Sequence, residues 1–150
     1  MVEHPMKVFE ATIDIDAPTH IVWTHLTDFA SYPEWNPFIL RAAGDLVEGS
    51  VVTFNAYRVP TQLNATIVSL VPEREFIWEA NMPLPGMQPR YIRKLEALSN
   101  DRTRFINREE FAGFLIPVLS PILTQLAGNI YEETCLALKN RVEGLQTLEN

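Results

Sequence analysis

The chain opens on alternation. Over residues 7–15, Phe9, Ala11, Ile13 and Ile15 fall on one side and Val8, Glu10, Thr12 and Asp14 on the other, the two-residue period of a half-buried strand. The period then changes. Ile21, Val22, Leu26 and Phe29 recur at helical spacing, and Asp16 precedes Pro18, a residue suited to a first helical turn, so a short helix is expected over about 18–27. From 39 to 112 the two-residue period returns, with strands expected near 39–44, 50–57, 62–71, 75–81, 90–98 and 103–112. Gly44-Asp45, Glu48-Gly49, Val59-Pro60, Pro72-Glu73, the run Pro83 to Pro89, and Asn100-Asp101 mark the turns, and such short spacers suit an antiparallel meander. The last segment, "LSPILTQLAGNIYEETCLALKNRVEGL", reads as one long helix with Ser120 as its cap and Pro121 in its first position. Leu123, Leu126, Ile130, Ala137, Leu138, Val142 and Leu145 form its apolar stripe; Gln125, Asn129, Glu132, Lys139 and Glu143 fall largely away from it.

The order is strand, one or two short helices, six strands and a long helix, an α+β class with a seven-stranded antiparallel sheet. A helix of about 26 residues is roughly 39 Å long. That is enough to lie across a curved sheet, and a sheet wrapped round one helix leaves a gap that becomes a pocket.

Parity assigns faces to several strands. Phe76, Trp78 and Ala80 point one way, Ile77 and Glu79 the other. Phe105, Asn107, Glu109 and Phe111 oppose Arg104, Ile106, Arg108 and Glu110, whose three charges put them in solvent. Tyr91, Arg93 and Leu95 are the inward set of their strand. Over 62–71 the two faces, Leu63, Ala65, Ile67 and Ser69 against Thr66, Val68 and Leu70, are not separable. Arg93, Asn107 and Glu109 are thereby aimed into an apolar interior, where a charge must be paired or hydrated. Arg93 with Glu109 forms either a structural ion pair or a group that orients the polar part of a bound small molecule.

One stretch breaks the pattern. "LTDFASYPEWNPFI", residues 26–39, spaces Phe29, Tyr32, Trp35 and Phe38 three apart, yet Pro33 and Pro37 forbid a long helix there. One further helical turn near 29–33 is expected.

Composition narrows the setting. The 150 residues suit a single domain spanning 1–150, and 47% hydrophobic with 21% charged residues is ordinary for a globular chain. Cys135 stands alone, so no internal disulfide forms and a reducing, cytoplasmic location is expected. No segment approaches the roughly 18 apolar residues of a membrane span, and the N-terminus lacks a signal core. A net charge of −7 opposes attraction to nucleic acid or anionic lipid.

Much chemistry is missing from the sequence. His20 and His25, five apart on a helix, do not share a face; with His4 they are the only histidines, and no metal site is expected. The six glycines are dispersed and form no phosphate loop, and no cofactor is expected. Glu109 and Glu110 point to opposite sides of a strand and cannot share a substrate. A lone Glu109 with a raised pKa could serve as a general base, which Arg93 would oppose, while Tyr57 or Tyr91 could donate to a carbonyl. Cys135 packs as a small apolar group. Gly128, inside the expected helix, either permits close contact with the sheet or leaves room for a ligand. The stiff loop "MPLPGMQP" either covers a cavity mouth through Met82, Leu84 and Met87 or is a plain loop.

The segment "IDIDAPTHIVWTHLTDFASYPEWNPFI" resembles the N-terminal signature of the SRPBCC superfamily, which includes START-related lipid-binding domains and polyketide cyclase/dehydrase-like proteins. Ala17-Pro18, Val22-Trp23, Leu26-Thr27-Asp28-Phe29, Tyr32 and Trp35-Asn36-Pro37 carry the likeness, with Gly49, Trp78, "EEFAGFL" at 109–115 and Leu138 to Glu143 further on. It covers roughly 7–146. The resemblance implies a helix-grip fold: a curved seven-stranded antiparallel sheet, two short helices after the first strand, and a long C-terminal helix closing a cavity. In that fold the 26–39 stretch packs at the cavity mouth, Trp35 and Phe38 being part wall and part lid, unless all four aromatics plug one end of the core. Cyclase-like members often carry a histidine and, two residues on, an aromatic in the sixth strand; Tyr91 and Arg93 stand there in this chain, which favours an acidic, phenolic or carbonyl-bearing ligand.

The resemblance implies binding, and transport in some members, of a small hydrophobic molecule such as a lipid, polyketide or aromatic compound. The alternative is a cofactor-free cyclase, aromatase or dehydratase, and a third is an interaction module, disfavoured because no large apolar outward face is evident. Ligand contacts are expected from Trp35, Phe38, Tyr57, Phe76, Trp78, Tyr91, Arg93, Asn107, Glu109, Phe111, Leu126 and Ile130, and any catalysis from Glu109, Arg93 and Tyr91. Nucleic acid and integral membrane association are not expected, and the sequence leaves the oligomeric state, monomer or homodimer, open.

Overall fold

Seven strands make one sheet in the computed structural model, which describes residues 5–82 and 85–149. They are β1 (Met6–Ile15), β2 (Ile39–Ala43), β3 (Val51–Ala56), β4 (Leu63–Val71), β5 (Glu75–Ala80), β6 (Gln88–Ser99) and β7 (Arg102–Ala112). Their order is β1-β7-β6-β5-β4-β3-β2, and each neighbouring pair is antiparallel. Only the β1–β7 pairing is non-local; the rest is the meander that short turns dictate. Between β1 and β2 lie α1 (Thr19–Thr27), a 3-10 turn (Phe29–Ser31) and α2 (Tyr32–Trp35), and after β7 come α3 (Ile116–Ala127) and α4 (Ile130–Glu149). This is the helix-grip arrangement. Pro18 sits at the N-cap of α1 with extended ψ of 153°, just outside the helix and not in its first turn.

The inward parities are as expected for β5, β6 and β7: Phe76, Trp78, Tyr91, Leu95 and Phe105 are fully buried, while Arg104 and Arg108 lie outward and pair with Asp14 and Glu10 of β1. In β4 the ambiguity has a physical cause. A bulge falls between Ile67 and Ser69, so Ala65 and Ile67 face the core before it and Leu70 packs on the core after it.

The 26–39 stretch is mostly core. Phe29 and Tyr32 are buried, and the Tyr32 hydroxyl donates to the Leu26 carbonyl. Trp35 is half-buried edge-on to Tyr32 and donates to Ser31 Oγ at 3.1 Å. Asn36 then turns the chain: its side-chain oxygen accepts from the backbone N–H of Phe38 at 3.0 Å and of Ile39 at 2.9 Å, launching β2.

The terminal helix is not continuous. It begins earlier than expected, at Ile116, with Pro117 in its first turn; Ser120 and Pro121 therefore lie inside α3. It breaks at Gly128, whose φ of +52° and ψ of −124° no residue with a Cβ adopts easily. A Cβ there would meet nothing within 4 Å, so Gly128 serves the break and not a close contact. The two pieces differ in kind. In α4, Tyr131, Cys135, Leu138 and Val142 form a fully buried stripe at 4-3-4 spacing. Lys139 and Glu143 pin it to the end of β1 through the Asp14 carbonyl and the Asp16 N–H. In α3 only Ile116 is buried. Val118, Ile122 and Leu126, with Phe114 just before the helix, form an exposed stripe, so a sizeable apolar outward face does exist.

The α3 start is clamped by glycines. At Gly113, with φ of +141°, an added Cβ would come within 2.1 Å of the Gly86 carbonyl oxygen. Gly113→Ala is expected to cost roughly 1–3 kcal/mol from backbone strain alone, with the clash adding to it. Thermal denaturation should register a drop of several degrees; an unchanged midpoint would mean that the 85–87 loop is not packed on this junction.

Candidate functional site

The sheet closes on α4 along most of its length but not at the end where α3 meets α4. A cavity of about 240 Å³ lies there, and it reaches solvent beside the half-exposed Leu126. Phe9, Phe54, Ala56, Trp78, Ala80 and Phe111 line it from the strands, and Leu123, Leu126, Ala127, Ile130 and Tyr131 from the helices. Phe38 and Tyr57 border it from the ends of the segments around β2 and β3, while Met82 and Met87 reach it from the β5–β6 loop; Pro83 and Leu84 of that loop, like His4, lie outside the described residues. The wall is overwhelmingly apolar, as ligand cavities are.

Among the described residues one acid interrupts it. Glu109 of β7 faces the cavity and is only 8% exposed. The Tyr131 hydroxyl donates to its Oε1 at 2.6 Å. Burial pushes the Glu109 carboxyl up to about 7, while the Tyr131 hydrogen bond and the charge of Arg93 work the other way. The Tyr131 hydroxyl is itself pushed far up, by burial first and then by Glu109. The pair thus offers a carboxyl raised toward neutrality and a phenol that stays protonated.

Arg93 occupies a different place from the one expected. Its register partner on β7 is Asn107, and Glu109 lies opposite Tyr91, so the two charges are diagonal neighbours. They form no ion pair. None of the three guanidinium nitrogens has a hydrogen-bond partner among the described residues, and the residue is 2% exposed. Aromatic rings enclose it instead: its Cζ lies 3.8 Å from the Trp78 ring centroid and 4.0 Å from those of Phe76 and Tyr91. The Tyr32 hydroxyl is near but outside hydrogen-bond geometry. Burial lowers the guanidinium pKa, and Tyr32, Tyr91 and Glu109 oppose that shift.

Of the residues expected at the site, Phe38, Tyr57, Trp78, Glu109, Phe111, Leu126 and Ile130 border the cavity. Phe76, Tyr91, Arg93 and Asn107 do not; they stand behind the Trp78 and Phe38 side of the wall. The Tyr91 hydroxyl donates to Asn107 Oδ1 at 2.5 Å, and Asn107 Nδ2 donates to the Tyr131 carbonyl at 3.2 Å, so this layer fastens β6 and β7 to α4. Trp35 lies apart from the cavity, held by Tyr32 and Ser31. Tyr131 was not among the expected residues. Its signal was the 131, 135, 138, 142 spacing, which marks the inward line of α4 once the helix is taken to restart after Gly128.

Residues 6–143 match the model of one protein family, described as polyketide cyclase/dehydrase and lipid transport. The chain belongs to that family. Solved structures agree with it in fold. The Zhui aromatase/cyclase from Streptomyces sp. R1128 superposes with a TM-score of 0.74 at 17% identity, over 93% of this chain and 94% of that one. A START superfamily protein from Mycobacterium smegmatis gives 0.72 at 19%, over 95% and 99%. A norcoclaurine synthase point mutant from Thalictrum flavum, in complex with a transition-state analogue, gives 0.73 at 13%, over 97% and 99%. At these identities the likeness is one of fold. No curated protein matches the chain in sequence. Among the described residues no group of three or more His, Cys, Asp or Glu side chains could hold a metal ion, and no helix is long and apolar enough to cross a membrane.

Proposed function

We propose that this member of the family binds a small hydrophobic molecule of one or two rings in the cavity between the sheet and the α3–α4 junction, with the polar end of the ligand on Glu109 and Tyr131. The observation that carries this is the apolar cavity with an acid–phenol pair in its wall. Size supports the ligand class. A cavity of about 150 Å³ suffices for benzene, so about 240 Å³ takes a ring with a substituent or a fused pair.

The same pair supports a second reading, proton-transfer chemistry without a cofactor. A buried carboxyl at about 7 can accept or return a proton near neutral pH. Turnover in a cyclisation or dehydration would then require Glu109, whereas carriage would not.

The test begins with native mass spectrometry of freshly purified protein, in search of a retained small molecule, followed by calorimetric titration with one- and two-ring compounds. Ala56 is buried and borders the void, so Ala56→Leu places its added carbons in empty space. Overpacking, which otherwise costs about 1–3 kcal/mol, is thereby relieved. The variant is expected to keep its melting temperature within a few degrees and to lose affinity at least tenfold. Unchanged affinity would place the ligand elsewhere.

A further inference from the structure

We propose that the ligand of this cavity carries an anionic oxygen and that Arg93, sealed behind Trp78, is the group that selects it. The inference rests on the binding function proposed above and names its ligand class. Three observations support it.

First, the guanidinium is fully buried with no acceptor on any of its three nitrogens. Arginine cannot shed its charge to escape such a site, and a buried cation without a partner is costly. The cation–π contacts offset part of that cost but leave every N–H free to donate. Second, Trp78 belongs to both places. It borders the cavity, stacks on Phe54 at 4.8 Å, and carries the guanidinium 3.8 Å from its ring centroid. The charge is therefore one ring removed from the ligand. Tyr91, a second ring of the cage, packs on Phe38, which also borders the cavity. Third, the surroundings do not cancel the charge below neutral pH. Glu109 is the one acid in the cavity wall among the described residues, and burial raises its pKa to about 7, so that at pH 6 it is mostly protonated. The hydroxyls of Tyr32, Tyr91 and Tyr131 and the thiol of Cys135 are pushed up by burial and stay neutral. Arg58 at the rim is cationic, and Asp28 and Glu132 lie exposed on the outer surface. An anion in the cavity at pH 6 thus meets a net positive interior. In water that preference would be slight, but in a site of low effective dielectric it is large.

The probes are 2-naphthoate and its neutral counterpart 2-naphthamide, titrated calorimetrically at pH 6. The wild-type protein is expected to bind the naphthoate at least tenfold more tightly than the amide. Arg93→Met, which keeps length and removes charge, is expected to abolish that preference and to leave the amide affinity within about twofold. Equal affinities in the wild-type, or a preference surviving in Arg93→Met, would overturn the proposal. If Arg93→Met fails to fold by circular dichroism, the Arg93 Nε–H resonance of the wild-type decides: it should shift with naphthoate and stay with amide, and a resonance unmoved by naphthoate overturns the proposal. If the amide binds and the acid gains nothing, the selection by Arg93 falls while the binding function stands. If neither probe binds, both fall.

Discussion

At pH 8 the Glu109→Gln protein is expected to unfold at a temperature at least about 5 °C above the wild-type, and at pH 4.5 the two should nearly coincide. The reason is linkage. The folded protein holds Glu109 at about 7, against 4.5 for the ordinary carboxyl. Between those values the folded state binds more protons than the unfolded one, so stability falls as pH rises. The benefit of the protonated form is complete below about 4.5 and gone once pH has passed through about 7. A displacement of that size corresponds to roughly 3 kcal/mol, and each kcal/mol moves the midpoint of a chain this long by about 2–4 °C. Glutamine cannot ionise, and its carbonyl can still accept from the Tyr131 hydroxyl. Asp14 and Glu143, both held below the ordinary carboxylate range, slope the other way at lower pH, but they are present in both proteins and cancel in the comparison. Parallel melting curves across pH 4.5–8 would show that Glu109 reaches water and does not carry the raised pKa on which the proton-transfer reading depends.

The meander was legible because its physics is local. Alternation in "EFIWEA" and "FINREEF" names the inward face residue by residue, and turn chemistry sets the spacers. Legibility failed where a local rule is interrupted or where a contact is not local. The bulge between Ile67 and Ser69 inverts parity inside β4, so each face of that strand reads apolar for half its length. The sequence places Gly128 inside one helix, since the apolar pattern runs on at either side; the break shows only as a shift of the buried line onto Tyr131, Cys135, Leu138 and Val142. Parity correctly turned Arg93 and Glu109 inward. It could not say which neighbours each would meet. Three rings enclose the guanidinium, and Tyr131, 22 positions further along the chain, holds Glu109 in place of Arg93. Pairing of this kind is decided by depth and by helix docking, and a strand pattern carries neither.

Trp78 should be the most costly single position in the molecule to truncate. It is 1% exposed, stacks on Phe54, meets Phe29, Phe76 and Tyr91 at 6.1–6.4 Å, and forms one wall of the Arg93 cage. Trp78→Ala removes a large aromatic from a packed interior, a change that typically costs about 3–5 kcal/mol. Loss of one cation–π contact to a desolvated guanidinium adds up to about 2 kcal/mol. A fall in melting temperature of at least about 6 °C is therefore expected, at about 2–4 °C per kcal/mol. Trp78→Phe keeps a ring against both Phe54 and Arg93 and should recover more than half of that loss. The pair of variants separates two roles. If the ring serves only to fill space, leucine at this position should do as well as phenylalanine. If it also holds an unpaired cation in the core, Trp78→Leu should fall well below Trp78→Phe, and the gap between them should close in an Arg93→Met background. Equal stability of the leucine and phenylalanine variants in the wild-type background would mean that the rings around Arg93 do not stabilise its charge.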